Sequence, residues 1–479
     1  MKRREFLQLT GAACAYALSS MPMHRAFAAN DALPFKISLA EWSLHKNLFG
    51  GKLDNLDFPR IARKEFDIDT IELVDQFCKD KARDDAYLKE LKSRADGEGV
   101  AIGLIMLDMN GPLGAENQVE RDAAVDNTKA WVDAAAFLGS HTIRVNARGP
   151  QDPDLLRKHI VDSCGKLADY AAERDINVTI ENHFGHSSDP DWLLSVMEAV
   201  GRPNFGTLPD FGNFTPEVDR YDAVERFMPW AKAVSAKASA FNDDGTVEET
   251  DYFRMMRIVR DGGYTGHVGV ESVGSTPEDE YAAIRKTRDL LLRIREEHAR
   301  CQAIFNGKDL TGWSTIEGGD WSVEDGVLIG RNGRNWSTDP DLTGSWLRTE
   351  KMYSDFRLEL QYAINAGGNS GVFFRSAEAK NPAFTGYEMQ IVDGHGDAPS
   401  KGGVTSLYDV VAPTKVRVRP ADQWNTVTII AKGPRIQVEM NGATVIDTEQ
   451  HRLERGYIGL QNHDDHSVVR FKNIRVQDL

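Results

Sequence analysis

The sequence has few cysteines, and they are widely separated. The four are Cys14, Cys78, Cys164 and Cys301. A disulfide framework or a zinc–thiolate site needs cysteines that are paired or clustered at short spacings. The scattered positions therefore argue against both.

Basic residues and long apolar runs are also scarce. Lysine and arginine together number 57 against 73 aspartates and glutamates, so the net charge is −16 at pH 7. A nucleic-acid-binding protein needs a basic face, so nucleic acid is excluded as a partner. Beyond the N-terminal region, no stretch is long and apolar enough to cross a bilayer. We therefore expect no membrane span in the mature protein.

The N-terminus has the order of an export signal. A twin-arginine pair, Arg3-Arg4, precedes an apolar stretch that ends in Ala26-Phe27-Ala28-Ala29. This order predicts a twin-arginine export signal over residues 1–28, with cleavage after Ala28 and a periplasmic mature protein. A membrane anchor is the alternative, but the run is short for a span and is interrupted by polar residues and Pro22.

Residues 35–300 alternate short apolar runs with amphipathic helical stretches, which is the pattern of parallel βα units. Eight runs predict strands, at 36–42, 70–74, 101–107, 142–146, 178–181, 205–210, 233–238 and 267–271. Eight strands with intervening helices predict an α/β fold, a (β/α)₈ TIM barrel.

Three of these strands end in a carboxylate: Glu181, Asp210 and Glu271. Their separations are about one and about two lengths of a ~30-residue βα unit. The carboxyl ends of barrel strands meet at one mouth, where active sites lie. Converging carboxylates suit a hard or borderline divalent cation, so we predict a metal site. The alternative is that each carboxylate caps a helix or pairs with a lysine.

Residues 301–479 follow a different pattern, with period-two alternation and Gly-Asn-Asp turns. The predicted strands are 356–362, 371–375, 387–392, 426–431, 436–440, 456–461 and 468–476. Asn441-Gly442 is typical of a two-residue hairpin turn. The second region is therefore predicted to be all-β, an antiparallel sandwich of the jelly-roll kind.

The first region resembles the xylose-isomerase-like sugar isomerase and epimerase family. The resemblance is carried by Ala40-Glu41-Trp42-Ser43-Leu44-His45, Ile143-Arg144-Val145-Asn146, Glu181-Asn182-His183, Asp210-Phe211-Gly212-Asn213-Phe214 and Val270-Glu271. It implies a divalent metal (Mn²⁺, Mg²⁺ or Co²⁺) held by Glu181, Asp210 and Glu271. The family's seventh strand usually offers a histidine two positions before a lysine. Here Ser235 replaces that histidine and Lys237 remains.

Other residues of this region are candidates around the metal. His183 is either a further ligand or a group that orients a neighbouring carboxylate. Lys237 is either a proton shuttle or electrophile, or the counter-ion of Asp210. The candidate sugar-binding residues are Trp42, His45, Arg144 and Asn146, since a flat ring stacks on a sugar and polar groups read its hydroxyls. Core packing is the alternative for Trp42.

The second region resembles the 3-keto-disaccharide hydrolase domain family. The matching segments are Phe305 to Trp313, Asn369 to Arg375, Tyr387 to Asp393, Gly403 to Tyr408 and Gly459 to His463. The resemblance implies a concanavalin-like jelly roll with a concave carbohydrate-binding face.

Alternation within 387–393 puts Glu388 and Gln390 on one face of a strand. We expect Arg375, Gln461 and His463 to converge on that face. Glu388, His463 and Arg375 are the candidate catalytic residues, and Gln390 and Gln461 are candidate substrate contacts. One alternative is a buried ion pair between Glu388 and Arg375, and another is a non-catalytic carbohydrate-binding module.

Together these features predict an exported, metal-dependent enzyme that acts on a small carbohydrate. It would cleave 3-keto-glycosides by deprotonation at C2, elimination of the aglycone and hydration. The alternative enzyme is a keto-sugar isomerase or epimerase whose sandwich only holds carbohydrate. A third possibility is a catalytically inactive sugar-binding protein, suggested by the absent seventh-strand histidine.

Overall fold

The computed structural model describes residues 35–334 and 336–479, which divide into two compact units after Cys301. The predicted export signal, including Cys14, lies outside these residues. The remaining cysteines, Cys78, Cys164 and Cys301, are free and buried. In the described ranges, no helix is both long enough and apolar enough to cross a bilayer.

The first unit contains the eight predicted parallel strands. They are β1 Lys36–Ala40, β2 Thr70–Val74, β3 Ala101–Met106, β4 Thr142–Val145, β5 Asn177–Glu181, β6 Phe205–Leu208, β7 Val234–Ala238 and β8 His267–Ser272. Their order is β6-β5-β4-β3-β2-β1-β8-β7. Two parallel bridges, Thr207 to Ala231 and Asp210 to Ser235, join β6 to the β7 segment and close the ring. The predicted (β/α)₈ barrel is confirmed.

Helices follow the strands. They are α1 His45–Phe49, α2 Phe58–Phe66, α3 Asp85–Glu98, α4 Gln118–Leu138, α5 Pro153–Ala172, α6 Pro190–Val200, α7 Arg220–Phe227, α8 Tyr252–Asp261 and α9 Pro277–Arg300. Short 3₁₀ turns lie at Glu41–Leu44, Asn55–Asp57, Asp75–Phe77, Gly185–Ser188 and Met228–Trp230. Aspartates cap several helices: Asp152 and Asp189 each accept from two backbone N–H groups ahead of a proline at the first helical position. Proline is favoured there because that N–H has no helical partner.

Alternation along the strands separates the lumen of the barrel from its helix-covered outside. On β2, Ile71 and Leu73 pack in the main core between strands and helices. Val74 belongs instead to a smaller lumen cluster with Ala40 and Met106. Because side chains alternate in a strand, the lumen-facing positions at the carboxyl ends open toward one mouth.

The second unit is an antiparallel sandwich of two sheets, as predicted. Its elements are β9 Gln302–Ala303, β10 Trp313–Ile316, β11 Asp320–Glu324, β12 Val327–Arg331, β13 Trp346–Tyr353, β14 Phe356–Ile364, β15 Asn369–Ser376, α10 Pro382–Thr385, β16 Tyr387–Val392, β17 Asn425–Lys432, β18 Arg435–Met440, β19 Ala443–Glu449, β20 Gly456–Gln461 and β21 Val469–Asp478. One sheet has the order β10-β13-β20-β15-β16, and the other β11-β12-β21-β14-β17-β18-β19, with β9 beside β21.

The two sheets pack through one apolar core. Met389 and Leu460 of the first sheet share it with Leu358 and Ile429 of the second. The outer face of the five-stranded sheet carries a separate cluster around Trp346 and Phe373. Polar side chains on this sheet therefore have to lie on its outer face.

The sequence missed six sandwich strands, β9 to β13 and β19. Asn441 and Gly442, both at positive φ, form the predicted turn, but it joins β18 to the unpredicted β19. Both central residues of a type I′ turn need positive φ, which explains the Asn-Gly pair. Most of the missed strands are short, two to five residues, and β11 has no fully buried residue, so their alternation is weak.

Candidate functional site

The three carboxylates at the barrel mouth lie together. Glu181 ends β5, Asp210 follows β6, and Glu271 lies near the end of β8. One ligand oxygen from each lies within 4.8 Å of the others, and all three residues are buried. Their positions on three strands of one ring bring them to the same mouth.

Local backbone fixes Asp210 in this group. The N–H groups of Gly212 and Asn213 each donate to Asp210 Oδ1 at 2.8 Å. Asn213 also donates from Nδ2 to Glu181 Oε1 at 3.0 Å, so one residue positions two carboxylates. Within 35–334 and 336–479, nothing hydrogen-bonds to the buried Asp210 Oδ2. A buried oxygen without a partner is costly, and a cation would satisfy it.

Two cations already face the three carboxylates. Lys237 Nζ lies 2.7 Å from Glu271 Oε1, and Arg144 Nε lies 2.8 Å from Glu181 Oε2 without the alignment of a hydrogen bond. Ser235, in place of the family's histidine, donates from Oγ to Glu271 Oε2 at 3.0 Å. Lys237 is therefore the direct counter-ion of Glu271, whereas the sequence pointed to Asp210.

Burial and charge set the protonation of the group. Burial, with the neighbouring carboxylates adding to it, raises the pKa of Glu181 and of Asp210. Burial also raises the pKa of Glu271, but Lys237, Arg144 and Ser235 together more than offset this, and that pKa is lowered overall. The oxygen donors, their separation and the unpartnered Asp210 Oδ2 fit a divalent cation such as Mg²⁺ or Mn²⁺.

His183 is near this group but not in it. The described cluster of possible metal ligands comprises only the three carboxylates. The ring of His183 lies 5.2 Å from that of Phe184, and only its backbone N–H is recorded in a hydrogen bond, to Ser187 Oγ. Burial, with Arg144 and Lys237 adding to it, lowers the pKa of His183 to about 4. A neutral imidazole beside the site can accept a proton, but the structure gives it neither predicted contact.

The other predicted barrel residues divide into two groups. Arg144 and Asn146 both donate to Asp108 at 2.7 Å, and Asn146 Oδ1 is buried without a hydrogen-bond partner in the described chain. Trp42 stacks on His45 with 4.7 Å between ring centroids. Both ring nitrogens of His45 are engaged, Nδ1 with the Trp42 carbonyl and Nε2 with Lys46 Nζ. A direct contact of His45 with sugar is therefore not supported.

In the sandwich, Glu388 and Gln390 lie on the outer face of the five-stranded sheet, as alternation predicts. Gln390 is opposite Gly371 on β15, and Glu388 is opposite Phe373. The Glu388 carboxylate lies directly against Gly371. A Cβ atom at position 371 would be only 2.1 Å from Glu388 Oε1. Glycine at 371 thus leaves the space that the carboxylate occupies.

Glu388 is a buried carboxylate without a cation beside it. It is 4% exposed, and no hydrogen bond or ion pair of its side chain is recorded in the described residues. Burial alone raises its pKa to about 8. A buried carboxyl group without a partner is the arrangement that tunes an acid or base toward neutral pH.

Other unpartnered polar atoms lie on the same sheet face as Glu388. Gln461 on β20 lies next to Gly371 in register, and Trp346 on β13 is opposite Gln461. The Oε1 atoms of Gln390 and Gln461 and Nε1 of Trp346 are buried without hydrogen-bond partners in the part of the chain described. Such a set of buried donors and acceptors needs a ligand or ordered water to satisfy it.

Arg375 does not join this face, which corrects the prediction. Its guanidinium binds the carbonyls of Ser354 and Gly433 and Asp355 Oδ1, at 2.7 to 3.0 Å. A β-bulge shifts the register between Phe373 and Ser376, and Arg375 has a φ of 50°. A bulge breaks alternation and redirects the side chain. The proposed ion pair with Glu388 is therefore wrong, and Arg375 has a structural role.

His463 lies beyond the end of β20, beside the same face. Its Nδ1 is 2.9 Å from Asp464 Oδ2, and its ring stacks at 6.4 Å on Trp336. Trp336 stacks in turn on Phe373, the neighbour of Glu388. Trp336, His463, Asp464 and Arg334 line an open cleft of about 540 Å³, which does not include Phe373 or Glu388. His463 is thus connected to the Glu388 face through an aromatic ring and not by direct contact.

Sequence reasoning missed several residues of both sites. Asp108 accepts hydrogen bonds from Arg144 and Asn146 and directly follows a predicted strand. It was therefore detectable in the same way as the carboxylate triad of Glu181, Asp210 and Glu271, as a carboxylate at the carboxyl end of a barrel strand. Asn213 lies inside a recognised segment but had no assigned role. The sequence around Trp346 and Trp336 does not predict that they lie near Glu388, because only the sheet pairing brings them to this face.

Family models match both parts of the chain. Residues 62–294 match a xylose isomerase-like TIM barrel, and residues 300–477 match a 3-keto-alpha-glucoside-1,2-lyase-like domain. A 3-keto-disaccharide hydrolase of Bacteroides thetaiotaomicron is 26% identical, over 37% of this chain and 77% of the relative.

Two solved structures are similar to one part each. A candidate glycosyl hydrolase from Parabacteroides distasonis is 27% identical, covering 38% of this chain and 96% of its own, with a TM-score of 0.33. A 3-keto-D-glucoside 4-epimerase from E. coli is 16% identical, covering 55% of this chain and all of its own (100%), with a TM-score of 0.41. From the family matches, the chain is a xylose isomerase-like TIM barrel fused to a domain of the 3-keto-disaccharide hydrolase family.

Proposed function

We propose that this protein cleaves 3-keto-glycosides, including 3-keto-disaccharides, by deprotonation at C2, elimination of the aglycone and hydration. The observation that carries the proposal is Glu388, a buried carboxylate without a cation, on the same sheet face as the unpartnered atoms of Gln390, Gln461 and Trp346. The family match of this domain to a 3-keto-glucoside lyase-like group supplies the substrate class.

The chemistry follows from the 3-keto group. The ketone acidifies the hydrogen on C2, so a base removes it and the electron pair forms an enolate between C2 and C3. The enolate then expels the glycosidic oxygen from C1, and the departing aglycone takes up a proton. Water adds across the resulting C1–C2 double bond, its oxygen to C1 and a proton to C2. The net change is hydrolysis to a 3-keto sugar, without an oxocarbenium ion or paired glycosidase carboxylates.

Each residue has a role in this scheme. Glu388 is the base for the C2 proton, because a carboxylate with a pKa near 8 is far more basic than an exposed one and is still partly ionised at neutral pH. The Gln390 and Gln461 amides hold sugar hydroxyls. The Trp346 indole N–H is a donor for developing negative charge on an oxygen, which a dry site favours.

The barrel would carry out a related step on the same kind of substrate. Glu181, Asp210 and Glu271 would hold a divalent cation, which when bound polarises adjacent oxygens of a keto sugar and stabilises negative charge on them. Asn146 Oδ1 would accept from a sugar hydroxyl, and the neutral imidazole of His183 would be a hydrogen-bond partner for another. Export through the twin-arginine route to the periplasm is part of the proposal, resting on the sequence of residues 1–28.

The direct test is release of a 3-keto sugar from a 3-keto-disaccharide by the purified protein. Glu388→Gln should lower this release by about 10²–10⁴-fold, the usual contribution of a general base. Glu350→Gln is the matched control, since Glu350 is an exposed glutamate on the same sheet. Equal turnover by wild type and Glu388→Gln would remove the sandwich from the chemistry.

A keto-sugar isomerase or epimerase is the second candidate. It is favoured by the carboxylate triad with Lys237 and Arg144 at the barrel mouth. Proton-exchange NMR on free ketoses in D₂O separates the two. Deuterium incorporation with stereochemical change, and without loss of an aglycone from keto-glycosides, would favour this candidate.

A further inference from the structure

Exposed apolar side chains collect at the barrel mouth. Of the large apolar residues that the described barrel unit exposes, Phe49, Met109 and Phe184 lie in segments that follow β1, β3 and β5. Phe49 is 59% exposed, Met109 50% and Phe184 61%. These segments surround the mouth at which the carboxylate triad lies.

Phe49 belongs to an aromatic group on one side of this mouth. Its ring lies 4.9 Å from Phe77 and 6.2 Å from Trp42, and Trp42 lies 6.1 Å from Phe77. Trp42 and Phe77 also pack against the apolar cluster in the barrel lumen. The aromatic surface is thus continuous from the solvent to the interior of the mouth.

Phe184 is held exposed on the other side by a strained backbone. Its φ is 60° and ψ is 171°, a region that bulky residues rarely adopt. Ser187 fixes the turn, since its Oγ accepts from His183 N at 2.9 Å and donates to the Phe184 carbonyl at 3.0 Å. β5 and β1 are four strands apart in a ring of eight, so Phe184 lies on the opposite side of the mouth from the Phe49 group.

Two polar side chains beside Phe49 already make hydrogen bonds within the barrel unit. Lys46 Nζ donates to the Gly274 carbonyl at 2.7 Å. Asn47 Nδ2 donates to the Pro277 carbonyl at 2.6 Å and to Glu280 Oε2 at 2.7 Å. A second sugar at this position would lose water from its hydroxyls and find these donors occupied. A flat apolar group has no hydroxyls, so it would lose no hydrogen bonds to water there.

We propose that the barrel mouth binds the aglycone of a glycoside substrate, and that it favours a flat apolar ring over a second sugar. The sugar would lie at the carboxylate triad, and the ring between Phe184 and the Phe49 group. This inference rests on the proposed function for the glycoside and adds the class of aglycone that the barrel, as distinct from the sandwich, would bind.

The test compares phenyl and methyl glucosides, which lack the 3-keto group and so bind without elimination. Calorimetric titration of the full chain should give about tenfold tighter binding of the phenyl glucoside, the preference expected for partial burial of one aromatic ring. Phe49→Ala and Phe184→Ala should each reduce that preference to less than about threefold. Phe137→Ala is the matched control, since Phe137 is an exposed phenylalanine near the carboxyl end of α4, away from this mouth.

Three results would overturn the inference. One is equal affinity of wild type for both glucosides, and another is an unchanged phenyl preference in both mouth variants. The third is a lower sedimentation coefficient of the variants with unchanged affinity, which would make the aromatic surface a contact between two copies of the chain. Turnover of a 3-keto-disaccharide by wild type is measured separately, so failure of the proposed function is distinguishable from failure of the aryl site.

Discussion

Replacing Glu388 by glutamine should stabilise the sandwich at alkaline pH, the opposite of what loss of a buried ion pair would do. The pKa of Glu388 is about 8 when folded and near its ordinary value of 4.5 when unfolded. Between these values the unfolded chain gives up a proton that the folded chain retains. Rising pH therefore favours the unfolded state in that window. The stability that protonated Glu388 contributes is fully present below the unfolded pKa and is lost as the pH rises to the folded pKa.

The size of the effect follows from the same shift. Each pH unit across the window costs about 1.4 kcal/mol, so the wild-type sandwich should lose a few kcal/mol between about pH 5 and 8. In a domain of this size, that corresponds to several degrees in Tm. The uncharged amide of Glu388→Gln does not titrate, so the variant should keep its Tm over this range.

Thermal unfolding followed from pH 5 to 9 in wild type, Glu388→Gln and the exposed control Glu350→Gln checks this. The activity profile checks the same group independently. Wild-type kcat/KM for a 3-keto-disaccharide should rise about tenfold from pH 7 to 9, as Glu388 changes from about one-tenth to mostly ionised. A lower Tm for Glu388→Gln at all pH values, with normal turnover, would refute the reasoning.

Other predictions address single contacts. Gly371→Ala should lower turnover as Glu388→Gln does, because its Cβ would lie 2.1 Å from Glu388 Oε1 and displace the carboxylate. The check is a turnover assay, with an unchanged Tm showing that the variant is folded. Glu181→Gln, Asp210→Asn and Glu271→Gln should each reduce metal bound after dialysis against Mn²⁺, and full occupancy in all three would eliminate the barrel site. Lys237→Met should bind Mn²⁺ at least as tightly as wild type, since Lys237 Nζ, 2.7 Å from Glu271, repels a second cation. Arg375→Met should cost a few kcal/mol of stability, because it leaves two carbonyls and Asp355 unpaired, while the folded fraction keeps its kcat.

The barrel could be predicted from sequence because its signals are local and repeated. Each strand is a short apolar run bounded by a helix, and the observed strands match the predicted ones within two residues at either end. The grouping of Glu181, Asp210 and Glu271 followed from one rule, that strand ends of a barrel meet at one mouth. The contacts of Lys237 and His45 did not follow, since they depend on side-chain directions that spacing does not fix.

The sandwich site was less predictable, for two physical reasons. Alternation placed Glu388 and Gln390 correctly because β16 is regular over Tyr387–Val392. It failed at Arg375, where a bulge with positive φ redirects the side chain, and nothing in the local sequence marks that bulge. Trp346 reaches the face through pairing with Gln461, more than a hundred residues away, and such long-range register is not visible in single-sequence alternation.

Glu271 of the barrel and Glu388 of the sandwich differ in their partners, and this difference bears on their proposed chemistry. Glu271 has Lys237 and Ser235 as partners, which keep it ionised, as a ligand for a cation must be. Glu388 has no such partner in the described structure and is held near the boundary between its two protonation states. A group that exchanges protons needs that balance. Of the proposed metal ligands, Glu271 is already ionised, whereas Glu181 and Asp210, whose pKa values burial raises, would give up their protons on binding a cation. In the proposed function, the sandwich would therefore supply the base for proton transfer, and the barrel would supply the carboxylates that bind a cation.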